Sequence, residues 1–268
     1  MERCVRRRVS PELTVPWAEA GRSSIDSLDD SCLLRIFARL TPMPDRFNAG
    51  RVCRRWQALA NDQRMWLSVE HCSSVPSYPV FGTLEAAVAA ARPGDTIIIS
   101  AGQPHDVSNV RIEKPLRLIG NGKSADRSVL SSPRGCDSAL EFHANAHLVN
   151  LSIKSELGSC ILHKKGRLII EACALECIEH PLEHLSCPIV TVREESIRRL
   201  GSRKDAIVVV ETRIEGGEKA VKTSEGLMLQ HVRAIWGSAS VFWFSVVAKC
   251  VGGNPPASAA GGPTECLA

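Results

Sequence analysis

The stretch from Ser27 to Glu70 constrains this chain most, because its 44 residues hold more apolar anchors than so short a segment can bury by itself. Leu33, Ile36, Phe37 and Leu40 recur at i, i+3, i+4 and i+7, the stripe of a helix with one apolar face. Ser27 followed by Asp30 resembles a capping box, and Asp29 and Asp30 suit the positive end of the helix dipole. Thr41-Pro42-Met43-Pro44 stops the helix, since proline removes a donor and restricts the residue before it. Asp45 can cap a second short helix. Val52, Trp56 and Leu59 give a further helical stripe with Arg51, Arg54 and Arg55 on other faces, and Asn61-Asp62 opens a last turn ending at Trp66-Leu67. A module of this kind points to docking on a partner rather than to chemistry.

A chain of 268 residues suggests one or two domains with a real core. The net charge of +4 makes no strong case for nucleic acid. The opening Arg6-Arg7-Arg8 cluster is followed by no apolar stretch, so residues 1–24 read first as a disordered basic tail, otherwise as a weak nuclear address, and not as a signal peptide. No run of about 18 apolar residues exists, so no membrane span is expected. Eleven cysteines, odd in number and scattered, fit reduced thiols in the cytoplasm or nucleus better than a disulfide framework.

Past His71 the character changes. Residues 71–80 read as a linker, and Phe81 to Ala91 as an alanine-rich helix of high propensity. Arg92-Pro93-Gly94-Asp95 then makes a tight turn into the β-branched strand Thr96-Ile97-Ile98-Ile99. From there short strands follow one another: Val110–Ile112, Leu116–Gly120, Ala139–Phe142, Leu148–Ile153, Cys160–Leu162, Leu168–Ile170, Ile189–Val192, Ala206–Val210, Ala220–Val221 and Leu227–Leu229. Such strands build a sandwich or a coiled solenoid. Three local echoes favour the solenoid: Leu148–Ile153, Gly166–Leu175 and Gly226–Ile235 share one shape, as expected where like residues stack on like. Residues 241–268 read as an apolar segment and a disordered Gly/Pro/Ala/Ser tail. The apolar run Val241 to Val247 either caps the last coil or belongs to a truncated variant.

The pattern Leu28, Leu33-Leu34, Ile36-Phe37, Leu40, then Val52-Cys53-Arg54-Arg55-Trp56 and Trp66 resembles an F-box. One departure is Asp29 where the family often has proline. The resemblance implies a three-helix module over residues 25–70 that docks on the Skp-type adaptor of a cullin–RING ubiquitin ligase. Carried over from the family pattern, the adaptor-binding residues are Leu28, Leu33, Ile36, Leu40, Pro42, Val52 and Trp56, a fraction of which must instead pack the module's core. A second resemblance starts at Phe81-Gly82-Thr83-Leu84-Glu85-Ala86-Ala87, runs through Pro93-Gly94-Asp95-Thr96-Ile97 and Ala101-Gly102, and ends at Lys114-Pro115-Leu116 and Leu118-Ile119-Gly120. It is similar to the entry of a pectin-lyase-like right-handed β-helix, which would span 81–240 behind its capping helix. The expected fold is therefore α+β and multi-domain, an F-box followed by a parallel β-helix, and the whole chain resembles plant Skp-interacting F-box proteins of that build.

The resemblances imply the substrate-recognition subunit of an SCF ligase. Its partners would be the adaptor, cullin and RING subunits and a protein substrate, with no catalysis and no cofactor of its own. Enzymes resembling the solenoid need clustered carboxylates, yet Asp95, Asp106, Asp126, Asp137 and Asp205 are dispersed and Glu194-Glu195 is flanked by arginines. No metal is expected. One cluster, Cys173, Cys177, His180, His184 and Cys187, has ligand types that zinc accepts, but its spacing matches no standard finger, and cysteines in such coils usually serve as small buried hydrophobes. The loop 193–205 with Arg198, Arg199, Arg203 and Lys204 reads first as a solvated insertion, and otherwise as a site for an acidic or phosphorylated partner. Two other functional classes stay open: a carbohydrate-binding or carbohydrate-active solenoid, and an adaptor-binding scaffold that delivers no substrate. Aromatic rows would favour the first, and the solenoid offers only Phe142 between Phe81 and Trp236.

Overall fold

The computed structural model describes residues 25–71, 79–178, 185–192, 206–217, 221–222, 226–236 and 240–244. Helix α1 (Asp30–Arg39) starts at Asp29, whose carboxylate accepts from the Cys32 amide at 2.9 Å and from the Ser31 hydroxyl at 2.7 Å. The cap is thus Asp29 rather than the Ser27–Asp30 box, because Asp29 is the last extended residue before the helix. Asp45 accepts from Thr41 Oγ1 at 2.7 Å and ties the proline loop together instead of capping the short helix α2 (Phe47–Ala49). Helix α3 (Arg54–Ala60) crosses α1, with Phe37 and Trp56 edge to face at 5.2 Å between ring centres. Leu33, Leu34, Phe37, Leu59 and Met65 form a small core of their own. The contact with α3 rotates α1 so that Leu34 faces inward and Ile36 outward, and Val52 stands before α3 rather than on its stripe.

The rest is a solenoid. Strands β1 (Leu67–Val69) and β2 (Val80–Phe81) lie at its base, followed by helix α4 (Leu84–Ala90), capped by Thr83. The coils then run β3 (Thr96–Ile99), β4 (His105–Asp106), β5 (Val110–Ile112); β6 (Leu116–Gly120), β7 (Val129–Ser132), β8 (Ser138–Phe142); β9 (Ala146–Val149), β10 (Ser152–Ser155), β11 (Ser159–His163). They continue with β12 (Leu168–Glu171), β13 (Ala174–Cys177), β14 (Ile189–Thr191); β15 (Ala206–Val210), β16 (Arg213–Glu215), β17 (Val221–Lys222); then β18 (Gly226–Gln230), β19 (Val232–Trp236) and β20 (Ser240–Phe244). Every third strand pairs in parallel, which makes three sheets of eight, seven and five strands. This is a parallel β-helix, as the echoes predicted.

One residue per coil stacks to form the core. On the eight-stranded sheet Leu67, Ile97, Leu118, Leu148, Ile170, Val209 and Leu229 are successive register partners, and all are buried. The echoing segments occupy the same corner of different coils, where one residue between two strands takes a left-handed conformation: Asn150, Ala172 and His231, joined by Glu211. The run Leu148–Ile153 is therefore two strands bent at Asn150, not one. Asparagine suits that bend, since its Nδ2 donates to the carbonyls of Gly120 and Gly122 in the coil below, at 3.1 and 2.6 Å. At the far end β20, which holds the first part of the apolar run, pairs antiparallel with β19 and so covers that strand's outer edge in the seven-stranded sheet.

The helical module and the solenoid are joined by more than the chain between them. Leu67–Val69, at the end of the module, pairs in parallel with β3 and serves as the rung below the first coil. Arg46 and Asp95 form an ion pair at 3.2 Å with both side chains buried. Arg92 donates its backbone amide to the other Asp95 oxygen at 2.8 Å and a guanidinium nitrogen to the Leu40 carbonyl at 3.3 Å. Met43 lies against Gly94, where any added β-carbon would sit 2.6 Å from Met43 Cγ.

Candidate functional site

A module with its own core has no structural need to hold large apolar side chains in water, yet this one does. Ile36 is 39 % exposed, Met43 51 %, Phe47 56 % and Val52 65 %, and Ile25 is exposed as well. Arg51 lies over the Phe47 ring at 6.0 Å, a cation–π contact that leaves the ring's other face open. Arg55 holds the turn before α1, with Nε to Asp30 at 2.9 Å and a further donation to the Leu28 carbonyl at 2.5 Å. These contacts fix the relative setting of α1 and α3, the two helices that frame the exposed residues.

The residues carried over from the family pattern divide. Ile36 and Val52 stand in solvent. Leu28, Leu40 and Trp56 are half-buried and pack against the module's core. Leu33 is fully buried and Pro42 is buried, so both belong to the interior rather than to a contact surface: Leu33 lies against the core and Pro42 opens the turn leading to the Arg46–Asp95 pair. Met43, between the two prolines, and Phe47, after them, lie outside any helical stripe, and only their exposure sets them beside Ile36 and Val52.

The cysteine cluster divides, with Cys173 set apart while Cys177 and Cys187 lie near enough to influence each other. Cys173 and Cys177 are buried at different corners; their thiols donate to the carbonyls of Glu171 at 3.2 Å and Gly158 at 3.8 Å, and Cys187 to Ile189 at 3.3 Å. Burial pushes the Cys173 and Cys187 thiols up to about 11, as protonated donors require. His180 and His184 lie outside the described residues, and no group of three or more ligand-type side chains able to hold a metal gathers among the described ones. Cys160, which the spacing of the cluster did not include, lies beside Cys177. Glu194-Glu195, Asp205 and the rest of the loop 193–205 also lie outside the described residues. Asp95 and Asp126 are held by arginines, Phe142 is fully buried and Phe81 packs on the core, so neither ring offers a sugar platform. Among the described residues no helix is long and apolar enough to cross a membrane.

One charged cluster does form, on the outer side of the five-stranded sheet. Glu141 points outward but is only 6 % exposed, because Arg111 (3.1 Å), His143 (3.0 Å) and Lys164 close over it. Burial pushes its carboxyl up, and the hydrogen bonds from Lys164, Arg111 and His143 outweigh that and hold it down at about 2. A depressed carboxyl stabilises the fold above its unfolded value and loses that contribution as pH falls toward 2. Glu141→Gln is therefore expected to cost about 2 kcal/mol near neutral pH, with partly exposed partners already discounted, and about a quarter of that near pH 2.5, where the folded carboxyl is still mostly ionised. Urea denaturation of both proteins at the two pH values checks this; a gap that does not shrink in acid refutes it.

A helical module that keeps a core yet exposes apolar side chains, set on a β-helix, defines a small docking module carried on a solenoid. Residues 25–70 match the F-box-like family. The chain is 46 % identical over 239 residues to F-box protein SKIP5 of Arabidopsis thaliana, a match that covers 84 % of this chain and 87 % of that protein. The chain belongs to the F-box proteins. No solved structure matches it.

Proposed function

We propose that this protein is the substrate-recognition subunit of an SCF-type ubiquitin ligase, working in the cytoplasm or nucleus. Its F-box docks on a Skp-type adaptor, which brings the cullin and RING subunits, and its solenoid holds the protein to be ubiquitylated. The chain performs no covalent step; its contribution is proximity, turning an encounter between ligase and substrate into a reaction within one assembly. The observation that carries this reading is the exposure of Ile36, Met43, Phe47 and Val52 on a module that matches the F-box family. Apolar side chains at the centre of an interface supply most of its affinity once water is excluded.

The test is capture of a purified Skp-type adaptor by the intact chain and by Ile36→Asp/Val52→Asp. Both positions are exposed, so the variant is expected to keep its circular dichroism spectrum and melting temperature while binding falls at least about a hundredfold, as placing two carboxylates in an apolar contact implies. If the intact chain captures no adaptor, the proposal fails.

A further inference from the structure

Each sheet of the solenoid shows the solvent a different chemistry. On the seven-stranded sheet the outward register column runs Asp106, Ser131, Lys154, Glu176, Glu215. Its cations are already engaged, Lys154 by Glu176, and Arg213 by Asp126 and Glu215. The eight-stranded sheet carries Ile98, Ile119 and Val149 in one outward column and Ile169, Val208 and Met228 in the other, with the His147–Glu171 pair between them.

The five-stranded sheet is different. One outward column is Arg111, Glu141, Leu162, Val190, Lys222. Beside it His143, Lys164 and Val192 continue the coils, with their amides donating to the carbonyls of Ile112, Phe142 and His163 at 2.9 to 3.0 Å. Among the described residues this face carries two carboxylates: that of Glu141 is buried beneath its partners, and that of Glu113 is exposed at the edge of the first rung, one residue beyond Ile112. Apart from Glu113, the charged groups that reach solvent are Arg111, Lys164, Lys165 and Lys222, with Val192 exposed and Leu162 and Val190 half-buried between them. Arg111 uses Nε for Glu141, and its Nη groups have no partner among the described residues; the same is true of the Lys222 ammonium. Glu141 thus orients cations whose remaining donors point away from the protein.

We propose that this face is the substrate-docking surface, and that it takes an extended, carboxylate-rich segment of the partner protein. The inference rests on the receptor reading and names the kind of partner. Arg111, Lys164 and Lys222 lie on alternate rungs, about 10 Å apart at ~4.8 Å per rung. A segment in the extended polyproline II conformation laid across the rungs advances about 3.1 Å per residue with three residues per turn, so acidic side chains three residues apart share one face and meet successive cations. The residues between them then face Leu162, Val190 and Val192 and should be apolar. Charge complementarity excludes basic segments and speeds encounter with acidic ones.

The test uses the full-length chain and fluorescent peptides of repeating Glu-Ala-Val, repeating Lys-Ala-Val and repeating phosphoserine-Ala-Val, with anisotropy read at low and high salt. The Glu peptide is expected to bind, more weakly at high salt, and the Lys peptide to leave the signal unchanged. Lys165→Glu/Lys222→Glu, which leaves the pairs around Glu141 in place, is expected to weaken binding at least about tenfold with an unaltered melting curve. Equal binding by that variant, failure of the Glu peptide, or binding of the phosphopeptide alone would each overturn the proposal. Adaptor capture by the same variant is measured alongside. If it is retained, the docking face alone is at issue; if the intact chain captures no adaptor, the receptor reading itself has failed.

Discussion

Asp95→Ala is expected to lower the free energy of unfolding by about 3–5 kcal/mol, the scale for removing one partner of a buried ion pair. The guanidinium of Arg46 is 8 % exposed, and beyond Asp95 it has one weak contact, to Met65 Sδ at 3.7 Å. Without the carboxylate it is a charge in an apolar seam. Arg92 loses its carboxylate partner too, and with it the hydrogen bond that closes the turn after α4. The pair's net worth is far smaller than the cost of breaking it, because desolvation offsets most of the attraction. Arg46→Met/Asp95→Ala should therefore recover most of the loss. Chemical denaturation of the two single variants and the double variant gives the cycle; a double variant as unstable as Asp95→Ala sinks the argument. Because Arg46 follows Met43 and precedes Phe47, the damage falls on the stretch that displays two of the exposed apolar residues. Asp95→Ala is therefore also expected to weaken adaptor capture, although Asp95 belongs to the solenoid.

That coupling was not legible in the sequence. The alanine-rich helix, the Pro93-Gly94-Asp95 turn and the β-branched strand after it are local features, and the structure has them close to where propensity and turn chemistry put them, except that the helix starts at Leu84 behind its Thr83 cap and Phe81 is drawn into β2 instead. The corner echoes were legible for a related reason. Each coil repeats the same bend, and a residue able to adopt positive φ, such as Asn150, must recur between apolar pairs. The role of Asp95 was different: it read as a turn residue, and its partner Arg46 stands 49 positions earlier. Leu67–Val69 is too short to announce a strand, and it becomes one only by pairing with β3. In the module, the stripe Leu33, Ile36, Phe37 and Leu40 located α1, but a ten-residue helix leaves its rotation to the neighbour it packs on. Contact with Trp56 turned Leu33 in and Ile36 out. The Glu141 cluster combines residues from three coils of unequal length, so no fixed period could have aligned Arg111, Glu141 and Lys164.

Gly120→Ala is expected to destabilise the solenoid by about 3 kcal/mol or more, toward the upper end for overpacking, because the obstruction is backbone. A β-carbon at Gly120 would lie 1.9 Å from the Asn150 carbonyl oxygen and 2.9 Å from Ser128 Cβ. The Asn150 backbone cannot move aside cheaply: its positive φ sets the corner, and its side chain is tied to the Gly120 and Gly122 carbonyls. Relief would require separating two coils whose strands β6 and β9 pair over four residues each. Gly102 provides the contrast. Its φ is +131°, but a β-carbon there meets nothing within 4 Å, so Gly102→Ala carries backbone strain alone and should cost about 1–2 kcal/mol. Equilibrium denaturation of both variants separates the two causes. Equal losses would show that conformational strain, not contact between coils, limits the corner; a loss at Gly120 well above that at Gly102 assigns the stability of this solenoid to the closeness with which one coil's backbone sits on the next. Such stacking has a direct consequence for function, since the cations on the five-stranded sheet come from different coils and hold their spacing only while the coils stay in register.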